Sequence, residues 1–205
     1  YTLTDPFGAS DTATVTFDIT AVNDVPVVTG TQPDVGYDDG AVILLPMAGH
    51  FADIDGDMLT YAASGLPAGL AIDANSGTIS GQIDNHASAN SPYIVVIQAT
   101  DGLSAPVLVT FELAVSNIAP VVLNQPILPV DDGEILNIDA AALFADADGD
   151  ALSFAATGLP LWLSLNPVTG EISGVVPFDA SQTGPFTFSI TADDGDGGTA
   201  NAVMM

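Results

Sequence analysis

The sequence contains no lysine, no arginine and no cysteine among its 205 residues, whereas 26 residues are acidic and the formal net charge is −26. Proteins that bind the phosphate backbone of DNA or RNA need basic side chains to displace counterions, so nucleic-acid binding is excluded. The same absence excludes a basic patch for a membrane surface and any active site built on a lysine or an arginine. Without cysteine, the chain has no disulfide framework, no thiolate metal site and no cysteine nucleophile.

Long apolar segments are also missing from the sequence. No apolar run reaches the ~18 residues that a membrane-spanning helix needs, so we expect no insertion into a membrane. Hydrophobic residues nevertheless make up 48% of the chain, which is enough to form packed cores and argues against disorder. The length suggests two domains of about 100 residues each.

An internal repeat supports this division. Residues 51–81 and 144–174 are identical at 17 of 31 aligned positions, with an offset of 93 residues. The segments 23–26 (Asn-Asp-Val-Pro) and 117–120 (Asn-Ile-Ala-Pro) also correspond to each other. Because proline favours extended backbone in the residue before it, these segments are predicted to be short, stiff linkers.

The repeat predicts the domain boundaries. We expect one repeat over residues 23–116 and a second over residues 117–205, which is truncated in its last strand. Residues 1–22 are predicted to be the last two strands of a preceding repeat, because they match the end of the first complete copy. The chain is therefore expected to be a segment of a longer tandem array.

Apolar and polar residues alternate with period two in many places, as they do in half-buried strands. Clusters of Gly, Pro, Asp and Asn interrupt these runs every 8–12 residues, which is typical of β-sandwiches. We predict an all-β chain of tandem seven-strand Greek-key β-sandwiches joined end to end by short linkers. One helical turn is expected at residues 139–144, with Asp139 as its cap. The clearest strand predictions are residues 14–20, 93–98, 107–113 and 186–190.

Each repeat contains the motif Asp-x-Asp-Gly-Asp, at residues 53–57 and 146–150. In extended backbone, alternate side chains face the same side, so the three aspartates of each motif are expected to lie close together. Two like charges 4 Å apart repel by about 4 kcal/mol at an effective dielectric constant of 20, and the chain has no basic residue nearby to neutralise them. Either the loop is a solvated acidic turn or it binds a cation. Ca²⁺ is the natural candidate, because it accepts irregular sets of oxygen ligands.

The order of motifs along each repeat resembles a known family. Asn-x-x-Pro is followed by Phe-x-Asp-x-Asp-Gly-Asp-x-Leu, Gly-Leu-Pro-x-x-Leu, Gly-x-Ile-Ser-Gly and finally Ala-x-Asp-Gly. This pattern is similar to bacterial cadherin-like repeats of the dystroglycan type, which occur in large secreted surface proteins and adhesins. The resemblance covers essentially the whole chain and implies a cadherin-like or Ig-like sandwich for each repeat.

In cadherins, calcium ions bind at the junction between successive domains, and the resemblance implies such sites here. The implied ligands of the first site are Asn23, Asp24, Asp53, Asp55, Asp57 and Asp101. The implied ligands of the second site are Asn117, Asp146, Asp148, Asp150 and Asp194. Asp39 lies in a turn that is expected at the base of the first repeat, facing the second junction. Ile118 stands where the first copy has Asp24, and the arginine-containing motif of animal cadherins is absent. We therefore expect one or two calcium ions per junction.

Three other groups of residues could carry chemistry. Trp162 could stack on a sugar if it were exposed, but we predict that it packs on the core beneath the turn at Pro160. His50 is expected at the edge of the core, and neither it nor His86 is predicted to be a catalytic base or a zinc ligand. The glutamates are interpreted as exposed strand residues, and no nucleophile triad or phosphate loop is present.

These observations predict a non-catalytic module of a bacterial surface adhesin or filament that is secreted or displayed outside the cell. Calcium ions are expected to make the tandem array rigid, and neighbouring repeats or other copies of the protein are the expected partners. An alternative is a binding module for carbohydrate, or for another copy of itself, within a secreted polysaccharide-degrading or cell-surface protein.

Overall fold

A computed structural model describes residues 1–125 and 127–205 of the chain. Apart from four short 3₁₀ turns, all regular structure in these ranges is β-strand, which confirms the all-β prediction. The described residues contain no helix that is both long and apolar enough to span a bilayer. The 3₁₀ turns are Ala48–His50, Ala87–Asn90, Ala141–Leu143 and Ala180–Gln182.

The first complete repeat forms a β-sandwich. Its strands, numbered along the chain after the two of the N-terminal hairpin, are β3 (Val27–Val28), β4 (Val35–Asp38), β5 (Val42–Pro46), β6 (Phe51–Ala52), β7 (Thr60–Ser64), β8 (Leu70–Ile72), β9 (Thr78–Gln82), β10 (Tyr93–Thr100) and β11 (Val107–Ser116). One sheet has the strand order β4-β11-β10-β7 and the other has the order β5-β9-β8, while β3 and β6 form a small separate pair. β4 pairs with β11 in parallel, and the other pairs are antiparallel.

The core of this repeat lies between the two sheets. Alternate residues of β11 (Val109, Phe111, Leu113 and Val115) are buried, while the residues between them are more exposed. Fully burying one such side chain contributes about 1.5–3 kcal/mol, so the period-two pattern itself selects the face that turns inward. The predicted strands at residues 93–98 and 107–113 are confirmed within β10 and β11.

The second repeat has the same plan with one difference. Its sheets have the strand orders β15-β18-β19 and β13-β17-β16, and β12 pairs with β14. Among its described residues, no strand corresponds to β4, although the Leu128 amide donates a hydrogen bond to the Met205 carbonyl. The strands are β12 (Val121–Val122), β13 (Ile135–Asp139), β14 (Phe144–Ala145), β15 (Ser153–Thr157), β16 (Leu163–Leu165), β17 (Glu171–Val175), β18 (Phe188–Asp193) and β19 (Thr199–Met204).

The first 22 residues contain a short hairpin in which β1 (Thr2–Thr4) pairs with β2 (Ser10–Thr12). The predicted strand at residues 14–20 is wrong, because these residues have no regular structure and are exposed. In the hairpin register the Ala13 amide lies opposite the Tyr1 carbonyl, so the residues after it have no strand facing them. Alternation alone does not form a strand when the hydrogen-bonding partner is missing.

Two smaller predictions need adjustment. The expected helical turn at residues 139–144 is present as the 3₁₀ turn Ala141–Leu143. Its N-cap is Ala140 and not the predicted Asp139, although the Asp139 carboxylate accepts a hydrogen bond from the Ala142 amide at 3.3 Å. The strand expected at residues 186–190 instead begins at Phe188 and continues to Asp193.

Candidate metal sites at the repeat junctions

The Asp-x-Asp-Gly-Asp motifs form tight loops, the first between β6 and β7 and the second between β14 and β15. The glycine of each motif, Gly56 or Gly149, has a positive φ of 81° or 90°, a conformation that side chains other than glycine rarely adopt. In the second loop, the first aspartate, Asp146, accepts hydrogen bonds from the amides of Gly149 and Asp150 at 3.1 and 3.3 Å. These bonds curl the loop around the carboxylate, so that the aspartates converge.

The convergence brings the carboxylates of both motifs together. One oxygen from each of the three aspartates lies within 4.8 Å of the others in both loops. Three ionised carboxylates at this separation form three repulsive pairs, each of about 3 kcal/mol at an effective dielectric constant of ~20. The groups are Asp53 with Asp55 and Asp57, and Asp146 with Asp148 and Asp150.

The first linker attaches to its loop through two hydrogen bonds. The Asn23 side-chain amide donates to Asp101 Oδ2 at 3.0 Å, and the Asp24 backbone amide donates to Asp55 Oδ2 at 2.6 Å. The side chain of Asp24 is exposed and is not among the carboxylates that converge. Asp101 is further held by the amides of Leu103 and Ser104, both at 2.8 Å.

The second linker repeats this arrangement. The Asn117 side chain donates to Asp194 Oδ2 at 2.8 Å, and the Ile118 backbone amide donates to Asp148 Oδ2 at 3.1 Å. The residue after the asparagine therefore contributes its backbone N–H at both junctions, which explains how isoleucine can replace Asp24. Ca²⁺ binding by the residues of either site stays a prediction.

Burial distinguishes the two junctions. In the first loop Asp55 and Asp57 are exposed, and only Asp53 Oδ2 is a buried oxygen without a hydrogen-bond donor. At the second junction several oxygens have no donor and almost no contact with solvent. They are Asn117 Oδ1, Asp146 Oδ2, Asp148 Oδ1 and both carboxylate oxygens of Asp150, together with Asp39 Oδ2 and Asp196 Oδ2.

The pKa values reflect this burial. Loss of solvent contact, with the neighbouring Asp146 carboxyl, raises the pKa of Asp148 to about 6, although the Ile118 amide opposes the shift. Burial and the surrounding carboxylates also raise the pKa of Asp150, with His86 acting in the opposite direction. Burial alone would raise the pKa of Asp194, but hydrogen bonds from Asn117 and from backbone amides outweigh it and lower the pKa.

At the first junction, the pKa of the aspartate equivalent to Asp194 is also lowered. Hydrogen bonds from the Asn23 side chain and from the Ser104 and Leu103 amides lower the pKa of Asp101. At both junctions the asparagine therefore holds the turn aspartate in its charged form, which is the form that binds a cation.

The first repeat covers part of the second loop. A Cβ placed on Gly40 would lie 3.4 Å from both the Cβ and the carbonyl oxygen of Asp148, and one placed on Gly149 would lie 3.4 Å from Asn85 Nδ2. The turn that contains Asp39 therefore faces the second junction, as predicted. Asp39 is buried, and its Oδ1 accepts a hydrogen bond from the Ser88 amide at 2.9 Å. It is not one of the aspartates that converge in the second loop.

Sequence reasoning missed two residues at this junction. His86 Nδ1 lies 3.0 Å from Asp150 Oδ1 and 3.1 Å from Asp196 Oδ2. His86 has no histidine counterpart at the equivalent position of the second repeat, where Asp179 stands, so the repeat pattern gave no signal for it. Asp196 lies in the acidic, glycine-rich turn between β18 and β19, two residues after the predicted ligand Asp194. The two-residue spacing between Asp194 and Asp196 could have indicated that Asp196 also lies at the junction.

Trp162 lies away from the junctions. It is partly buried against the core of the second repeat, with its ring edge-on to Phe186 at a centroid distance of 5.6 Å. The prediction that it packs on the core is confirmed. The two rings line an apolar cavity of about 410 Å³.

Two sandwiches in tandem, with an acidic loop where they meet, define a modular β-sandwich protein. Residues 25–116 and 119–205 each match the model of the family described as "Putative Ig domain", so the chain belongs to this Ig-like family in two tandem copies. A comparison with curated protein sequences gives no significant match.

Similar solved structures include an endo-fucoidan hydrolase of glycoside hydrolase family 107, the ectodomain of human desmocollin-1 and the titin domains z1z2 in complex with telethonin. The hydrolase is 21% identical over 99% of this chain and 32% of its own, with a TM-score of 0.45. Desmocollin-1 is 16% identical over 97% of this chain and 43% of its own, with a TM-score of 0.42. The titin pair is 16% identical over 90% of this chain and 96% of its own, with a TM-score of 0.47. The chain thus spans about a third of the hydrolase and less than half of desmocollin-1.

Proposed function

We propose that the chain is a non-catalytic, extracellular structural or adhesive module in which Ca²⁺ binds at the repeat junctions and makes the tandem array rigid. Membership of an Ig-like family in tandem copies supports the general role of a structural or adhesive module. The calcium sites and the setting in a bacterial surface adhesin or filament go further and rest on the residues described below.

The observation that carries the proposal is the group of buried, unpaired oxygens at the second junction. Asp146, Asp148 and Asp150 gather oxygens within 4.8 Å of one another, and several of these oxygens are buried without a hydrogen-bond donor. A buried carboxylate without a partner is costly, the sequence contains no lysine or arginine, and the ion pairs of His86 are with Asp150 and Asp196. One divalent cation bound between the three aspartates would neutralise most of the charge of the loop, because each offers an oxygen within 4.8 Å of the others.

The types of ligand atom fit Ca²⁺. Ca²⁺ takes six to eight oxygens from carboxylates, amide carbonyls and water in irregular geometry. The second junction offers carboxylate oxygens from the loop and the buried, unpaired carbonyl oxygen of the Asn117 side chain. The linker thereby contributes an oxygen alongside those of the second repeat, so binding would fix the linker to the repeat that follows it.

The expected affinity suits use outside the cell. Extracellular calcium modules commonly bind at about 10⁻⁴–10⁻³ M, which matches extracellular but not cytosolic calcium concentrations. The resemblance of the motifs to bacterial cadherin-like repeats supports a surface adhesin or filament as the setting. Without calcium the carboxylates would repel one another and the junction would open.

Removal of calcium tests the proposal. We expect calcium to raise the melting temperature and to increase the maximum dimension in small-angle X-ray scattering, because both junctions become stiff. The double variant Asp146→Asn/Asp148→Asn should lose the part of the calcium response that comes from the second junction, while the first junction keeps its own. A matched control, Asp73→Asn/Asp139→Asn, makes the same change in charge at exposed residues away from the loops and should keep the response.

Two results would refute this function. One is identical melting and scattering in calcium and in EGTA. The other is a calcium response that is equally large in the junction variant and in the control, because the ion would then bind elsewhere.

A further inference from the structure

A second cluster of possible ligands lies beside the predicted calcium loop, and it contains a nitrogen. His86 follows β9 of the first repeat, whereas Asp150 and Asp196 belong to two different loops of the second repeat. The ligand atoms of the three residues all lie within 4.8 Å of one another, with Nδ1 nearly equidistant from the two carboxylate oxygens at 3.0 and 3.1 Å.

The carboxylates of this cluster are buried and lack donors. The Asp150 side chain is 0% exposed, and the Asp196 side chain is 9% exposed. Neither Asp150 Oδ1 nor Asp196 Oδ2 forms a hydrogen bond, although both face His86 Nδ1. Both oxygens lie at ion-pair distance from His86 Nδ1, but neither accepts an aligned hydrogen bond, so the two buried carboxylates converge with the imidazole and keep free acceptor capacity for a metal ion.

We propose that His86, Asp150 and Asp196 form a binding site for Zn²⁺ or a similar transition-metal ion that joins the two repeats. Hard cations such as Ca²⁺ take oxygen ligands, whereas imidazole nitrogen suits Zn²⁺ and its neighbours in the first transition row. The site has two ligands, His86 and Asp196, that the predicted calcium site does not use. Only Asp150 belongs to both, with Oδ1 facing His86.

The distances are close to those that such an ion needs. Zn–N and Zn–O bonds of about 2.1 Å in a tetrahedron place the ligand atoms about 3.4 Å apart. The present separations of 3.0 and 3.1 Å need to widen by only a few tenths of an ångström. Both aspartates are buried, so the widening would fall on the exposed side chain of His86.

The site is open to solvent on one side. The His86 side chain is 60% exposed, and it lies on the rim of a groove that Asp84, Asn85 and Gly149 also line. Water can therefore complete the coordination, and a metal ion can enter without opening the sandwich. Since its ligands come from both repeats, the ion would hold them together independently of the linker.

Metal titrations test this site. In buffer with millimolar calcium, we expect Zn²⁺ to bind with a stoichiometry of one in calorimetry, and Co²⁺ to give a visible absorption band. Loss of a group that only supports a metal ligand typically weakens metal binding by roughly 10- to 100-fold. His86→Ala removes a ligand itself and should therefore bind Zn²⁺ at least about tenfold more weakly. His50→Ala removes the other histidine of the chain, which lies away from the junction, and should bind as the unmodified protein does.

A readout on the unmodified protein makes the test independent of the variants. The imidazole ¹⁵N signals of His86 should shift on addition of Zn²⁺, while those of His50 stay unchanged. Absence of zinc binding in calcium buffer, or equal binding by His86→Ala, would overturn the proposal and leave His86 as an ion-pair partner only. Calcium binding by His86→Ala, measured in parallel, reports on the calcium proposal alone.

Discussion

The variant Asp148→Asn tests separately how far the second acidic loop destabilises the folded protein and how far it contributes to calcium binding. The substitution removes one charge but keeps an oxygen that can accept the hydrogen bond from the Ile118 amide. In chelator, we expect the variant to be more stable than the unmodified protein. In calcium, we expect it to lose most of the stabilisation that the ion provides.

The magnitude in chelator follows from the pKa of this carboxyl. Burial raises the pKa of Asp148 to about 6 from its ordinary value of 3.8. A shift of about two units corresponds to roughly 3 kcal/mol that the ionised group costs the folded state at neutral pH. Asp148 is partly accessible to solvent, which screens part of this cost, so a gain of about 1–2 kcal/mol is expected for the variant.

The magnitude in calcium follows from binding. A ligand at 100 times its dissociation constant stabilises the folded state by about 2.7 kcal/mol, a condition that ~10 mM calcium meets for a site of ~10⁻⁴ M. If the lost charge weakens binding by about 10- to 100-fold, this increment falls to about 0.4–1.4 kcal/mol. The quantity to compare between the variant and the unmodified protein is therefore the difference in unfolding free energy between calcium and chelator.

The chain carries its own probe for this measurement. Trp162 is its single tryptophan and packs in the core of the second repeat, so its fluorescence during urea unfolding reports that repeat alone. Asp73→Asn serves as a control, because Asp73 lies in a turn of the first repeat and binds the amides of Asn75 and Ser76. Its effect should be the same with and without calcium.

The decisive result is the behaviour of the variant in chelator. Should Asp148→Asn destabilise the second repeat there, the loop would not be under electrostatic strain, and the inferred need for a cation would fail. An unchanged calcium increment in the variant would show that Asp148 is not a ligand.

Two further predictions concern the same junction. Gly198→Ala should destabilise the second repeat by about 1–3 kcal/mol and weaken calcium binding, because the added Cβ would overlap with Asp194 Oδ2. As a control, Gly184→Ala should leave calcium titrations unchanged, because its Cβ meets no atom closer than 3.6 Å. Lowering the pH from 7 to 5 in chelator should stabilise the second repeat, because the raised pKa of Asp148 lets the folded state take up a proton that the unfolded state does not bind. Urea unfolding followed by Trp162 fluorescence at several pH values measures this effect, and stability that falls towards pH 5 would contradict it.

Much of the fold could be predicted from the sequence because burial imposes its own period. In β11 every second residue from Val109 to Val115 enters the core, so the alternation is visible without a structure. The repeat located both loops, at an offset of 93 residues, and both linkers, at an offset of 94 residues. Equivalent hydrogen bonds recur at Asn23 and Asn117. Strongly periodic segments and repeated turns are the features that sequence patterns describe best.

The features that could not be predicted depend on contacts between separate segments, which a sequence pattern does not specify. Residues 14–20 alternate as well as β11 does, yet they have no strand opposite them and form none. The ligand role that the resemblance implies for Asp24 stays a prediction, whereas the contact shared by the two linkers, made by the backbone amides of Asp24 and Ile118, was not predicted. His86 meets Asp150 only because two repeats come together, and no regularity within one repeat encodes that contact.

The difference between the two loops shows where the demand for a cation arises. Both have the same aspartates and the same glycine-based turn, yet Asp55 and Asp57 of the first loop are exposed, whereas in the second loop Asp150 is buried and Asp146 and Asp148 are partly buried. Part of the covering of the second loop comes from the first repeat, at Gly40 and Asn85. Burial turns a tolerable cluster of solvated charges into one that needs a counter-charge, since the dielectric constant around it falls. The second motif therefore becomes a strong candidate site only when a repeat packs against it, which couples metal binding to the docking of neighbouring repeats.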